Sequence, residues 1–185
     1  MYNLPISIFL FICILILIDK SEGQENIQPN SKPMTVNKVD LDRYVGVWYE
    51  IAKIPNRFQK QCARNVTATY SLNDDGTIKV INRCLREDGS EDKVTGKARI
   101  VDKKNNAKLE VSFVRIFGFH LFWGDYWIIG LDRDYQYAVV GSPTRKYGWI
   151  LSREKSMPES MFQEVKQILI KQDYNPDNFE MTIQE

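Results

Sequence analysis

Residues 66–84 read VTATYSLNDDGTIKVINRC. Val66, Ala68, Tyr70 and Leu72 alternate with Thr67, Thr69 and Ser71. Asn73-Asp74-Asp75-Gly76 then supplies turn chemistry, and the alternation resumes with Ile78, Val80 and Asn82 against Thr77, Lys79 and Arg83. Period two on both sides of a turn describes a β-hairpin with one apolar and one polar face.

The same pattern extends outward. Val94, Gly96, Ala98 and Ile100 alternate with polar residues, as do Leu109, Val111 and Phe113. Further strands fit 46–55, 125–132, 135–142 and 147–153. The expectation is an all-β fold of eight antiparallel strands joined in sequence by short connections. Such a meander removes its exposed edges by closing into an up-and-down barrel. One helix follows. Ser156-Met157-Pro158-Glu159 reads as a capping box, and Met161, Phe162, Val165, Ile168 and Leu169 form one apolar stripe. That stripe calls for a landing site on the outside of the barrel, for which Val47, Tyr49 and Ile51 are the candidates. Phe179, Met181 and Ile183 alternate in a short final strand.

Composition sets limits on function. The chain has 185 residues, and 25 Lys and Arg against 24 Asp and Glu leave a net charge of +1. That balance argues against a nucleic-acid partner, which selects for basic excess. Leu4 to Ile18 is almost wholly apolar and shorter than a membrane-spanning helix, with small residues after it, so residues 1–23 read as a signal peptide. An uncleaved anchor and a lipidated Cys13 are the alternatives. Residues 24–37 read as a flexible polar lead-in, and 38–185 as the folded domain. Export to a secreted, periplasmic or outer-membrane location follows. Cys62 and Cys84 are the cysteines left after cleavage, and an even count in an exported protein suggests a disulfide. Their offset along the hairpin requires the chain before Val66 to bend. Asn65-Val66-Thr67 is a glycosylation sequon for a eukaryotic host. His120, the single histidine, reads as an exposed loop residue, with no metal cluster or catalytic triad around it and no cofactor expected.

"GVWYEIAKIP" (46–55), "GDYW" (124–127) and "WILSR" (149–153) come in the order and spacing of three lipocalin motifs. The chain resembles the lipocalins, in particular the group that includes the bacterial outer-membrane lipocalins and apolipoprotein D, from about Val39 to Ile183. The resemblance implies a barrel closed at one end by Trp48, with Gly46 beside it and Arg153 stacked on the indole. It also implies a ligand cup, in which positions matching Tyr70, Asn82 and Trp149 face the ligand.

Strand parity extends that cup. If Trp48 points inward, so do Glu50, Ala52 and Ile54. The remaining inward positions are Val80, Val111, Phe113, Tyr126, Ile128 and Leu151, with Tyr70, Asn82 and Trp149. Small residues among them, namely Ala52, Ala68, Gly96, Ala98 and Gly130, leave volume for a small hydrophobic ligand. Glu50 in an apolar cup must find a partner or lose its charge. It either bonds to a neighbouring Tyr or Asn or anchors a ligand headgroup.

Phe113 to Gly130 reads FVRIFGFHLFWGDYWIIG. Meander order puts its centre at the open end of the barrel. Phe117, Phe119, Phe122 and Trp123 therefore crowd the mouth, as a lid, as a rim that touches membrane, or as a homodimer surface. Arg115, Arg145 and Lys146 are the nearby bases that anionic headgroups would meet. Together these readings describe a lipid-binding protein that is not an enzyme, with a fatty acid or lysophospholipid as cargo. The alternatives are a thiol-dependent enzyme using Cys62 or Cys84, and a filled-barrel scaffold.

Overall fold

The computed structural model describes residues 31–185; the expected leader, Cys13 and the first part of the lead-in lie outside them. A short helix α1 (Leu41–Tyr44) precedes β1 (Gly46–Lys53), β2 (Arg64–Leu72), β3 (Ile78–Leu85), β4 (Glu91–Ile100) and β5 (Lys108–Ser112). A small hairpin, β6 (Val114–Ile116) and β7 (Phe119–Leu121), interrupts the meander. It continues as β8 (Gly124–Leu131), β9 (Tyr137–Gly141) and β10 (Gly148–Ser152), followed by helix α2 (Glu159–Lys171) and β11 (Glu180–Met181).

Each long strand pairs antiparallel with its neighbour, and β10 returns to β1, so eight strands close a barrel. The β5–β8 pairing spans the β6–β7 hairpin, which therefore stands apart from the wall as a two-stranded sheet of its own. The barrel and helix foreseen from alternation are present. The β6–β7 ladder, α1 and the exact place of the last strand were not foreseen.

The last strand occupies a specific gap. β1 pairs with β2 only from Gly46 to Tyr49; beyond that the two strands separate. β11 pairs with β1 at Ala52 and Lys53, while Asn65 of β2 donates its backbone N–H to Ile183 at 2.8 Å. The Gln184 side chain donates to the carbonyls of both Glu50 (2.8 Å) and Val66 (2.9 Å). The C-terminal segment thus satisfies backbone groups that would be left open where β1 and β2 diverge.

Helix α2 packs Val165 and Leu169, both buried, on Ile51, Ala52, Trp127, Ile129, Val139 and Ile150. Its landing site is therefore shared by β1, β8, β9 and β10. Of the three residues expected to receive it, only Ile51 does so; Val47 is exposed. The helix begins at Glu159 with Pro158 as N-cap and no side-chain cap bond, so the expected capping box is not formed. Ser156 lies two residues outside the cap, too early to reach the first turn's N–H groups.

Residues 31–37, read as flexible lead-in, are held against the barrel. Val36 donates to the Ile128 carbonyl at 2.9 Å, Met34 donates to Gln172 at 2.8 Å, and Arg145 donates to the Ser31 carbonyl at 2.9 Å. Among the described residues, no helix is long and apolar enough to cross a membrane.

Candidate functional site

One end of the barrel is sealed. Trp48 is fully buried, and its indole donates to the Tyr44 carbonyl at 2.8 Å. The Arg153 guanidinium lies 3.8 Å from the indole ring centroid. It also donates to the carbonyls of Val47 (2.8 Å), Arg43 (2.7 Å), Tyr44 (3.2 Å) and Val45 (3.1 Å). Gly46 permits this arrangement twice over. Its φ is +99°, and a side chain there would meet Arg153 at 3.3 Å.

Above the seal lies a cavity of about 780 Å³. Its walls include Tyr70, Val80, Asn82, Val111, Phe113, Tyr126, Trp149 and Leu151, as parity required. Val66, Ala68, Ala98 and Leu109 add apolar surface.

Three expected members, Ala52, Ile54 and Ile128, do not line it. Ala52 is buried in the layer under α2, because β1 shifts register against β10 between Glu50 and Ala52. A bulge of this kind places two residues against one and inverts the faces beyond it. Ile54, beyond the same bulge as Ala52, packs with the layer under α2. Ile128 is fully buried with the interior cluster toward the sealed end and is outside the cavity lining. A second register shift in β8, between Ile128 and Gly130, turns Gly130 toward the helix, where a Cβ would come within 2.8 Å of Ile168. Gly96 does not create space either: Phe113 fills it, 2.6 Å from where a Cβ would stand. Of the five small residues expected to open the cup, Ala68 and Ala98 do so.

Glu50 reaches the cavity wall, but its carboxylate is occupied by other groups than the Tyr or Asn expected. Gln59 donates to Oε2 at 2.6 Å, and Thr182 (2.7 Å) and Lys53 (3.1 Å) donate to Oε1. Gln59 in turn accepts from the Trp149 indole at 2.9 Å. A buried carboxylate with three donors can remain charged. It fastens the β1–β2 loop and the C-terminal segment to the wall. Gln59, Thr182 and Tyr44 carried no alternation signal, since they lie outside the long strands.

Three tyrosines occupy the floor. Tyr126 shares its hydroxyl with those of Tyr44 (2.7 Å) and Tyr70 (2.9 Å). Burial pushes the Tyr70 hydroxyl up to about 12 and holds those of Tyr44 and Tyr126 well above the ordinary phenol range, so all three are neutral. Higher on the wall, Asn82 Oδ1 is buried with no hydrogen-bond partner.

Cys62 and Cys84 form a disulfide, with Cα atoms 5.5 Å apart. The bend this requires comes from a register shift between Arg64 and Thr67, where Asn65 adopts φ +54°. The disulfide leaves neither cysteine as the free thiol that an enzymatic reading needs.

At the mouth, the β6–β7 hairpin turns through Phe117 (φ +49°) and Gly118 (φ +88°). Two positive φ values in a two-residue loop match the strand twist. A bulky residue there is disfavoured by sterics, yet Phe117 is 95% exposed at the tip. Phe119 is 73% exposed, and Phe122 is 79% exposed while touching the cavity rim. Trp123 differs from its expected role. It is half-buried, donates to the His120 carbonyl at 3.1 Å, and is covered by the Arg99 guanidinium at 4.3 Å. His120 is likewise half-buried and lies beside Trp123. Arg145, expected to be free near the mouth, donates to the carbonyls of Gln172 and Ser31 and pairs with Asp173.

The chain matches a family model described as a lipocalin-like domain over residues 39–184. It is 38% identical to temperature-induced lipocalin-1 of Arabidopsis thaliana over 157 residues, covering 83% of this chain and 84% of the relative. It is 40% identical to outer membrane lipoprotein Blc of Escherichia coli over 145 residues, 78% of each chain. Apolipoprotein D of Macaca fascicularis is 34% identical over 181 residues, covering 91% of this chain and 90% of that one. Among solved structures, insecticyanin from the tobacco hornworm Manduca sexta aligns with a TM-score of 0.65 at 25% identity, covering 83% of this chain and 84% of that one. With its closed barrel, sealing Trp48–Arg153 pair and matching sequence, this chain belongs to the lipocalin family.

Proposed function

We propose that this protein binds one single-chain lipid, a fatty acid or lysophospholipid, in the cup and exchanges it with a membrane surface. The observation that carries this reading is the roughly 780 Å³ cavity itself: sealed at one end, open at the other, and walled mainly by apolar side chains. Membership in a family whose relatives include an outer membrane lipoprotein supports it. The cargo end nearest solvent meets Arg83 and Lys93, which face each other across β3 and β4 toward the mouth.

The hairpin gives the exchange step a surface. Phe117 and Phe119 stand clear of the cavity lining, so they do not cover the cargo, whereas Phe122 joins rim and hairpin. Aromatics at a tip beside an exposed Arg115 suit a membrane–water boundary. In this reading the chain is a carrier rather than an enzyme, and it acts outside the cytoplasm, where its disulfide persists.

The test is transfer of a fluorescent fatty acid from the protein to anionic vesicles. Phe117→Ser with Phe119→Ser should slow transfer and weaken vesicle binding several-fold while leaving affinity for soluble fatty acid nearly unchanged. Unaltered vesicle binding and transfer in that variant would remove the membrane role and leave a homodimer surface to be examined by its oligomeric state.

A further inference from the structure

The floor of the cup holds more hydrogen-bond donors than it can use. Tyr44, Tyr126 and Tyr70 are linked by two hydroxyl–hydroxyl contacts, 2.7 Å and 2.9 Å long. Three hydroxyls bring three protons, and two hydrogen bonds consume two of them. Whichever way the chain is oriented, one O–H points out of it without a partner. All three residues line the cavity, so the surplus donor is available to whatever fills it.

A buried donor left unmade is costly, and so is a buried charge without a counter-ion. The cationic residues among those lining the cavity, Arg83 and Lys93, sit toward the mouth. Arg153, below the floor, has its guanidinium committed to five carbonyls. A carboxylate at the floor would therefore meet one surplus donor and no free cation. A neutral oxygen meets the site's needs. A second polar group lies higher. Val80 is level with Tyr70 across β2 and β3, and Asn82 is two residues nearer the mouth, about 7 Å at the rise of an antiparallel strand. Its orphaned amide oxygen calls for a donor, which a ligand hydroxyl supplies.

On the reading that the cup is the ligand site, we propose that its floor is a hydrogen-bond donor site for a neutral oxygen at the buried end of the ligand. The preferred cargo is thus an oxygenated lipid, bearing a carbonyl or hydroxyl on its inner half, rather than one with a plain hydrocarbon tail. The charged end of such a lipid stays at the mouth.

The experiment compares octadecanoic acid with its analogue carrying an isotope-labelled ketone beside the terminal methyl. Calorimetry should show the ketone binding roughly five- to tenfold more tightly, the worth of one buried hydrogen bond. The bound carbonyl stretch should lie below its frequency in hydrocarbon solvent. In Tyr44→Phe/Tyr70→Phe/Tyr126→Phe, which keeps the rings and removes hydroxyls bonded only to one another, both the preference and the frequency shift should vanish. Should that variant fail to fold, the infrared shift in the unaltered protein decides the matter. Equal affinities with an unshifted carbonyl would overturn the donor site while leaving lipid binding in the cup intact. Failure of both acids to bind would instead overturn the cup reading, and this proposal with it.

Discussion

Gln59 donates its side-chain amide to Glu50 at 2.6 Å, and through that bond the loop between β1 and β2 is tied to the wall of the cup. The same Gln59 accepts from Trp149 on β10, while Glu50 also holds Thr182 of the C-terminal segment. The β1–β2 loop and the C-terminal segment therefore meet on one buried carboxylate, and β10 joins them through Gln59. Glu50 is thereby a structural tie, and in the proposed function the ligand headgroup meets Arg83 and Lys93 at the mouth instead.

Glu50→Gln separates these roles. The amide keeps the volume but weakens charge-assisted bonds from Gln59, Lys53 and Thr182, with an expected loss of about 1.5–3 kcal/mol in unfolding free energy. Fatty-acid affinity should change less than twofold. A large loss of affinity with unchanged stability would return Glu50 to the ligand.

Arg153→Lys should destabilise the protein by about 2 kcal/mol. A lysine retains the charge but loses the planar fork that spans the carbonyls of Arg43, Tyr44, Val45 and Val47 and stacks on Trp48. Denaturant unfolding followed by tryptophan fluorescence measures it. A change within error would mean that Trp48 alone seals the barrel.

Alkali should unfold the protein through its floor. For a hydroxyl whose folded value is raised, the native state binds more protons than the unfolded one once pH exceeds the unfolded value of about 10. Stability is then fully present below about pH 10 and falls by about 1.4 kcal/mol per pH unit for each such tyrosine, through about 12 for Tyr70. Tyr44 and Tyr126 add to that slope. Tyrosinate absorbance should show exposed residues titrating first and the buried trio ionising only with unfolding. Smooth titration of every tyrosine near pH 10, with the fold intact, would show the floor to be wet.

Breaking the Cys62–Cys84 bond should cost roughly 3 kcal/mol by the chain-entropy model, since it closes a separation of 22 residues. Differential scanning calorimetry of Cys62→Ser/Cys84→Ser should show a clearly lower Tm. Two alkylatable thiols in unreduced, denatured wild type would show instead that the bond does not form.

The barrel was readable because alternation is regular within each of the strands between residues 66 and 100, and Tyr70, Asn82 and Trp149 face the cavity as it required. The register shifts in β1 and β8 were not readable. A bulge adds one residue to one strand, and alternation looks equally regular on either side of it. Ala52 and Gly130 therefore went to the wrong face, although their small size was a signal: both lie where the barrel wall packs under α2. The hairpin at the mouth was hidden for a different reason. Phe117-Gly118 does the work usually given to Asn-Gly, at a conformation that phenylalanine rarely adopts. Tyr44 escaped because a four-residue helix places it, too short to leave a periodic trace.

Occupancy of the cup is tested most directly by calorimetric titration of fatty acid into the wild-type protein and into Ala68→Trp. Ala68 lines the cavity and lies level with Trp48 and Asn82, so an indole there projects into the space a ligand would fill. Wild type should take up one fatty acid per chain, with Trp149 fluorescence changing in step. Ala68→Trp should keep the circular dichroism of the β-barrel and bind none. Undiminished binding by a folded Ala68→Trp would place the lipid outside the barrel and contradict the cup as the ligand site.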